Sequence, residues 1–148
     1  MKWLSYLMFF SSLNAIAGLA DLKTINQDQL KLDASTKKVI LVFWATWCPS
    51  CRQKLEDVLP HASLPADTKL FAVNTESEVE KVKRFIDKES IKTAVLFDLD
   101  KTLRREINQF KTPAWAVYKV ENGKEILLKT ESGFDKSEIN SLVGAKVF

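Results

Sequence analysis

The chain is short of the residues that staple or ligate a fold. Its 148 residues include only two cysteines and one histidine. A closed structural zinc site takes four ligands, mostly Cys and His. Cys48, Cys51 and His61 cannot supply them without carboxylates, so neither metal nor cofactor is expected, and His61, just after Pro60, reads as a solvated surface residue. A disulfide-stapled scaffold is excluded as well, because both cysteines lie in one four-residue motif, and closing so short a loop removes little entropy from the unfolded chain. Blocks of like charge are also missing: the net charge of +3 comes from interspersed Lys and Asp/Glu. Nothing therefore demands nucleic acid or a membrane surface as partner. There is no twin-arginine pair, no cysteine near the leader junction to be lipidated, and no internal repeat or low-complexity tract. With 46% hydrophobic and 28% charged residues, the chain has the make-up of one globular domain with a real core.

Met1 to Ala20 has a signal peptide's order: Lys2, an apolar run from Trp3 to Phe10, then Ser11, Ser12 and Asn14 leading into small residues. Cleavage suits Ala15 and Ala17, giving a leader of residues 1–17 and a domain of residues 18–148; cleavage after Ala20 is the alternative. The expected location is extracytoplasmic, periplasmic in a Gram-negative cell. An uncleaved leader would anchor the protein, since the apolar run approaches the ~17-residue minimum for spanning a bilayer.

Beyond the leader, Ile25, Leu30 and Leu32 between Thr24 and Ala34 predict a short helix. Lys38 to Trp44 is a continuous β-branched and aromatic run, as in a strand buried on both faces. From Pro49 the pattern turns helical, with Cys51, Leu55, Val58, Leu59 and Ala62 on one face, and Pro60 should end or kink that helix near Leu59. Strands are expected over 70–74 and 93–97, a helix over 76–88, and a short helix or turn over 100–110. Asn122-Gly123 between two strand-like runs signals a hairpin, and 135–143 a closing helix. Strands alternating with helices, then a hairpin and a terminal helix, predict an α/β fold: a central mixed sheet with helices on both faces.

Cys48 and Cys51 sit where that buried strand ends and the helix begins. Thiols three positions apart at a helix start can close a disulfide with little backbone movement, and the free N–H groups there favour a thiolate at Cys48. Cys51 shares the apolar face of Leu55 and Val58 and should be shielded. The asymmetry assigns Cys48 as the sulfur that exchanges with substrate and Cys51 as the one that resolves the mixed disulfide. Trp44 reads as core. Trp47, abutting Cys48, reads as a flat apolar surface that receives a substrate polypeptide.

The run Phe43-Trp44-Ala45-Thr46-Trp47-Cys48-Pro49-Ser50-Cys51-Arg52 resembles the active-site segment of the thioredoxin superfamily, in particular its exported TlpA/ResA-like branch. Phe97-Asp98-Leu99-Asp100, Thr112-Pro113 and the Asn122-Gly123 hairpin ending near Gly133 follow in that family's order. The resemblance implies a thioredoxin fold over the mature chain and an enzyme, a thiol-disulfide oxidoreductase. It acts by reduction or exchange on cysteine-containing exported proteins such as apocytochromes c, and is recycled by a membrane thiol-disulfide electron donor. It further implies that Pro113 is cis and lies against the CxxC, and that Thr112 offers its backbone to the substrate chain. The low cost of cis at X-Pro bonds makes this reasonable. Three positions depart from the family: Val42 replaces a buried Asp, Lys54 replaces a Glu of the reductive branch, and Glu56 replaces a helix proline. Either Glu56 or solvent then relays protons to Cys51, or deprotonation of Cys51 is not under strong control. Two other readings of the motif are a Cu(I)-handling protein using the thiolates as soft ligands and a non-catalytic binding module.

Overall fold

The computed structural model describes residues 18–148; the expected leader of residues 1–17 lies outside them. Six strands form one mixed sheet: β1 (Lys23–Thr24), β2 (Lys38–Trp44), β3 (Thr68–Asn74), β4 (Val95–Phe97), β5 (Ala114–Glu121) and β6 (Lys124–Ser132), in the order β1-β4-β3-β2-β5-β6. β2, β3 and β4 are mutually parallel; β5 runs antiparallel to β2, β6 to β5, and β1 to β4.

Helices cover both faces, and alternation along the strands sorts the core between them. Ile40, Val42 and Trp44 of β2, with Trp115 and Val117 of β5, pack under α1 (Pro49–Gln53), α2 (Val79–Glu89) and α4 (Lys136–Val143). Val39, Leu41 and Phe43, with Ala114, Ala116 and Tyr118, face the other way, onto Leu103 of α3 (Thr102–Glu106) and onto Leu19, Leu22 and Leu30. Every residue of β2 after Lys38 is buried, which is why that stretch is uninterruptedly apolar.

The hairpin forms at the expected place, with Asn122 and Gly123 both at positive φ (51° and 71°), as a two-residue loop matched to strand twist requires. Asp135 caps α4 by accepting the Glu138 N–H at 3.0 Å, and Gly144 ends it at φ 80°.

The expected helix over Thr24–Ala34 does not form. Ile25 packs on one face of the sheet, whereas Leu30 and Leu32 pack on the other, so no single helical stripe could bury all three. The segment instead supplies the edge strand β1, which pairs with β4, and a turn that brings the Leu30 N–H to the Leu22 carbonyl at 3.0 Å.

Candidate active site

The CxxC loop leaves the C-terminal end of β2 and enters α1 with Cys48 as the N-cap residue and Pro49 in the first turn, where a missing N–H costs nothing. Cys48 and Cys51 are joined in a disulfide with Cα atoms 5.3 Å apart. The Cys48 sulfur also accepts the Cys51 backbone N–H at 3.3 Å, and the Ser50 hydroxyl stands 3.7 Å from it. Cys48 thus occupies the place of a capping oxygen, and the N–H aimed at its sulfur would stabilise a thiolate there once the bond is reduced. Cys48 is 5% exposed and Cys51 1% exposed. Burial differs little between them; the hydrogen bonding is what sets them apart.

Beyond Cys51 the helical run changes pitch. Residues Lys54–Val58 form a π-helical turn, in which the Leu59 N–H reaches the Lys54 carbonyl, and Leu59–His61 a 3-10 turn. Pro60 therefore ends the run as expected, through tightened geometry. Cys51, Leu55 and Leu59 share one buried apolar cluster, while His61 is exposed.

The positions where the family's acids would stand are accounted for. Val42 is 1% exposed and belongs to the same apolar cluster as Cys51. The Lys54 ammonium lies 5.7 Å from the centre of the Phe134 ring, a cation–π arrangement. Glu56 is exposed and pairs with Arg52 at 2.8 Å. The expectation that Glu56 relays protons to Cys51 finds no support in a carboxylate held on the surface by an arginine.

Thr112-Pro113 is cis. Pro113 directly precedes Ala114, which pairs with Phe43, so register brings this step to the end of β2 from which the CxxC issues. The Pro113 carbonyl accepts the Gly133 N–H at 2.7 Å. Among the described residues neither backbone group of Thr112 has a backbone partner, and its hydroxyl oxygen is buried without a hydrogen bond. Trp47 is 68% exposed, whereas Trp44 is 1% exposed and lies 5.8 Å from Phe85 between ring centres. The two tryptophans divide as the sequence predicts, one to the core and one to the rim. Phe110, two residues before Thr112, is a second exposed aromatic, 57% exposed.

Sequence reasoning also missed the polar support behind the loop. The Glu76 carboxylate accepts both the Thr46 N–H and the Thr46 hydroxyl, and the Asn74 amide at 3.2 Å. Asn74 is fully buried, and its side-chain oxygen accepts the Glu76 N–H at 2.8 Å. Burial pushes the Glu76 carboxyl up, but the bonds from the Thr46 backbone, the Thr46 hydroxyl and Asn74, with Lys81 nearby, bring it below its ordinary value. Next to this, the Thr75 N–H donates to the Trp44 carbonyl at 3.0 Å, and the Thr75 carbonyl accepts from Arg104 at 3.1 Å. Arg104 is itself paired with the buried Asp98 at 3.2 Å. The family landmark at Asp98 was the only sequence signal for this network. Its far end, Glu76, was indistinguishable from the other charges flanking α2.

A family profile described as "AhpC/TSA family" matches residues 15–127. Among curated proteins, "Thioredoxin-like protein YneN" of Bacillus subtilis is 37% identical over 82 residues, covering 52% of this chain and 48% of its own. "Sporulation thiol-disulfide oxidoreductase A" of the same species is 27% identical over 105 residues, covering 67% and 63%. The chain thus spans between about half and two thirds of the length of these relatives. Among solved structures, the crystal structure of StoA from Bacillus subtilis superposes with a TM-score of 0.63 at 25% identity, covering 83% of this chain and 93% of that one.

Proposed function

This chain belongs to the AhpC/TSA family, with a thioredoxin fold, and on that footing we propose that it is an extracytoplasmic thiol-disulfide oxidoreductase working through Cys48 and Cys51. The observation that carries the proposal is the Cys48–Cys51 bond at the opening of a helix, with the Cys51 N–H directed onto the Cys48 sulfur. The leader's residue order supports export, and the similarity to Sporulation thiol-disulfide oxidoreductase A supports the reaction class.

In the reducing direction, the Cys48 thiolate attacks one sulfur of a substrate disulfide, and the other sulfur leaves as a thiolate. Cys51, having lost its proton to solvent, then attacks the Cys48 sulfur, and the substrate's second thiolate leaves. Two electrons have passed to the substrate, and the Cys48–Cys51 bond has re-formed. A membrane thiol-disulfide donor restores the dithiol. The Cys51 N–H directed onto its sulfur favours the thiolate at Cys48, so Cys48 is the sulfur that exchanges with substrate.

The substrate enters as an extended chain. The unpaired backbone of Thr112 would accept it as an added strand, with Pro113 flanking the sulfurs and exposed Trp47 contributing apolar contact. Substrates of this class are exported proteins with reducible cysteines, apocytochromes c among them. Equilibration with glutathione or dithiothreitol buffers tests the whole reading. A potential well below about −200 mV marks a reductant and one near about −120 mV an oxidant. A bond that neither opens nor re-forms in such buffers defeats the reading.

A further inference from the structure

Three carboxylates lie near one another where the described chain begins: Asp21 in the 3-10 turn Leu19–Asp21, Glu106 at the end of α3, and half-buried Glu125 in β6. None of them belongs to an ion pair among the described residues. Burial, and after it Asp21 and Glu125, push the Glu106 carboxyl above its ordinary value. The buried Tyr118 hydroxyl, which has no hydrogen-bond partner, is pushed up by burial and then by Glu106, Glu125 and Asp98. Among the described residues no Lys or Arg is paired with this carboxylate group.

Gly18 lies against it. The Leu19 N–H donates to Glu125 Oε2 at 3.0 Å, and a Cβ placed on Gly18 would come within 2.7 Å of the same oxygen. The Gly18 nitrogen is bonded to the same Cα as that Cβ would be. Leu19 is fully buried among Leu22, Phe43 and Leu103, and the Gly18 carbonyl accepts the Asp21 N–H at 3.0 Å. Cleavage after Ala20 would strip out a core side chain and the N–H that Glu125 accepts. Cleavage after Ala17 leaves both in place.

We propose that maturation cuts the Ala17–Gly18 bond and that the Gly18 α-ammonium it creates is the missing cation of this carboxylate group, with Glu125 as its partner. The inference rests on the export reading above. Water adds across one peptide bond: Ala17 departs with the leader as a carboxylate, and Gly18 keeps its nitrogen as an ammonium. A membrane signal peptidase supplies the catalysis, and no redox change occurs. An ammonium brings extra donors and a full charge where an internal peptide has a single neutral N–H. A glycine with no side chain leaves room for the carboxylate to close on it.

Two measurements test this. The full chain is exported from a bacterial host, and the product is weighed intact and assayed on insulin disulfides. A first residue of Gly18 is expected; a first residue of Asp21, or a retained leader, overturns the proposal. An active product with the wrong first residue defeats it while leaving the oxidoreductase reading standing. Thermal melts at pH 7 then compare a chain beginning at Gly18 with one that keeps Ala17, each with and without Glu125→Gln. Keeping Ala17 moves the ammonium one residue away and should lower Tm by roughly 2 °C or more, a loss that disappears when Glu125→Gln is present. Equal melting of the two chains with Glu125 intact overturns the ion pair.

Discussion

Glu76 holds Thr46 by two hydrogen bonds, from its backbone N–H and from its hydroxyl, each 2.8 Å long. Thr46 is two residues before Cys48, so a carboxylate just past the end of β3 ties down the loop that carries this cysteine.

Glu76→Ala removes the acceptor for both groups and for the Asn74 side-chain amide N–H as well. Unsatisfied groups of this kind cost about 1–3 kcal/mol. Urea unfolding should show a loss of that order, and insulin reduction should slow with it as Cys48 loses its fixed position. Unchanged stability together with unchanged rate would show that the clamp has no role.

The same carboxylate sets a pH dependence. Its folded pKa lies below the ordinary value of 4.5. The stabilisation is therefore complete above that value and is lost as pH falls through the lower, folded value. Between pH 5 and the acid unfolding limit the wild type should lose more stability than Glu76→Gln, which has no proton to take up there. Parallel acid curves for the two proteins would contradict this.

Cys51→Ser should accumulate a covalent adduct with substrate through Cys48, because the resolving attack on the mixed disulfide is gone. Mass spectrometry of the digested adduct identifies the sulfur. An adduct found on Cys51 in the converse Cys48→Ser variant alone would reverse the two roles.

Trp47→Ala should leave Tm within about 2 °C, since substitutions at exposed sites generally change stability by less than about 0.5 kcal/mol. Its kcat/KM on protein disulfides should fall several-fold, while reduction of a small disulfide such as that of oxidised glutathione holds. Equal loss on both substrates would mean that Trp47 shapes the sulfurs' surroundings rather than receiving a chain.

Asp98→Ala strands the buried Arg104 guanidinium and removes the acceptor of the Leu103 and Arg104 N–H groups. Breaking a buried pair from one side costs about 3–5 kcal/mol, readable in urea unfolding. The double variant Asp98→Ala, Arg104→Met should recover part of that loss.

Much of this was legible because it is local. The run from Val39 to Trp44 could only be a strand covered on both faces, and Asn122-Gly123 could only turn tightly. Pro49 with the apolar spacing after Cys51 required a helix at the motif. The Thr24–Ala34 segment was misread because its apolar residues serve opposite faces of the sheet, a division that spacing along a chain does not encode. Glu76 stayed hidden for a related reason. A carboxylate beside a charged helix looks solvated until the fold carries β3 alongside β2 and lays it against Thr46.

The order of residues alone determined the CxxC pair, the helix that opens on it and the strand that delivers it, since backbone preferences and the burial of apolar side chains act over a few residues. Only the tertiary structure decided which acid steadies the loop and that Leu19 belongs to the core. Those outcomes depend on groups brought together across 30 to more than 100 positions of sequence, where desolvation and hydrogen bonding select partners that proximity along the chain cannot.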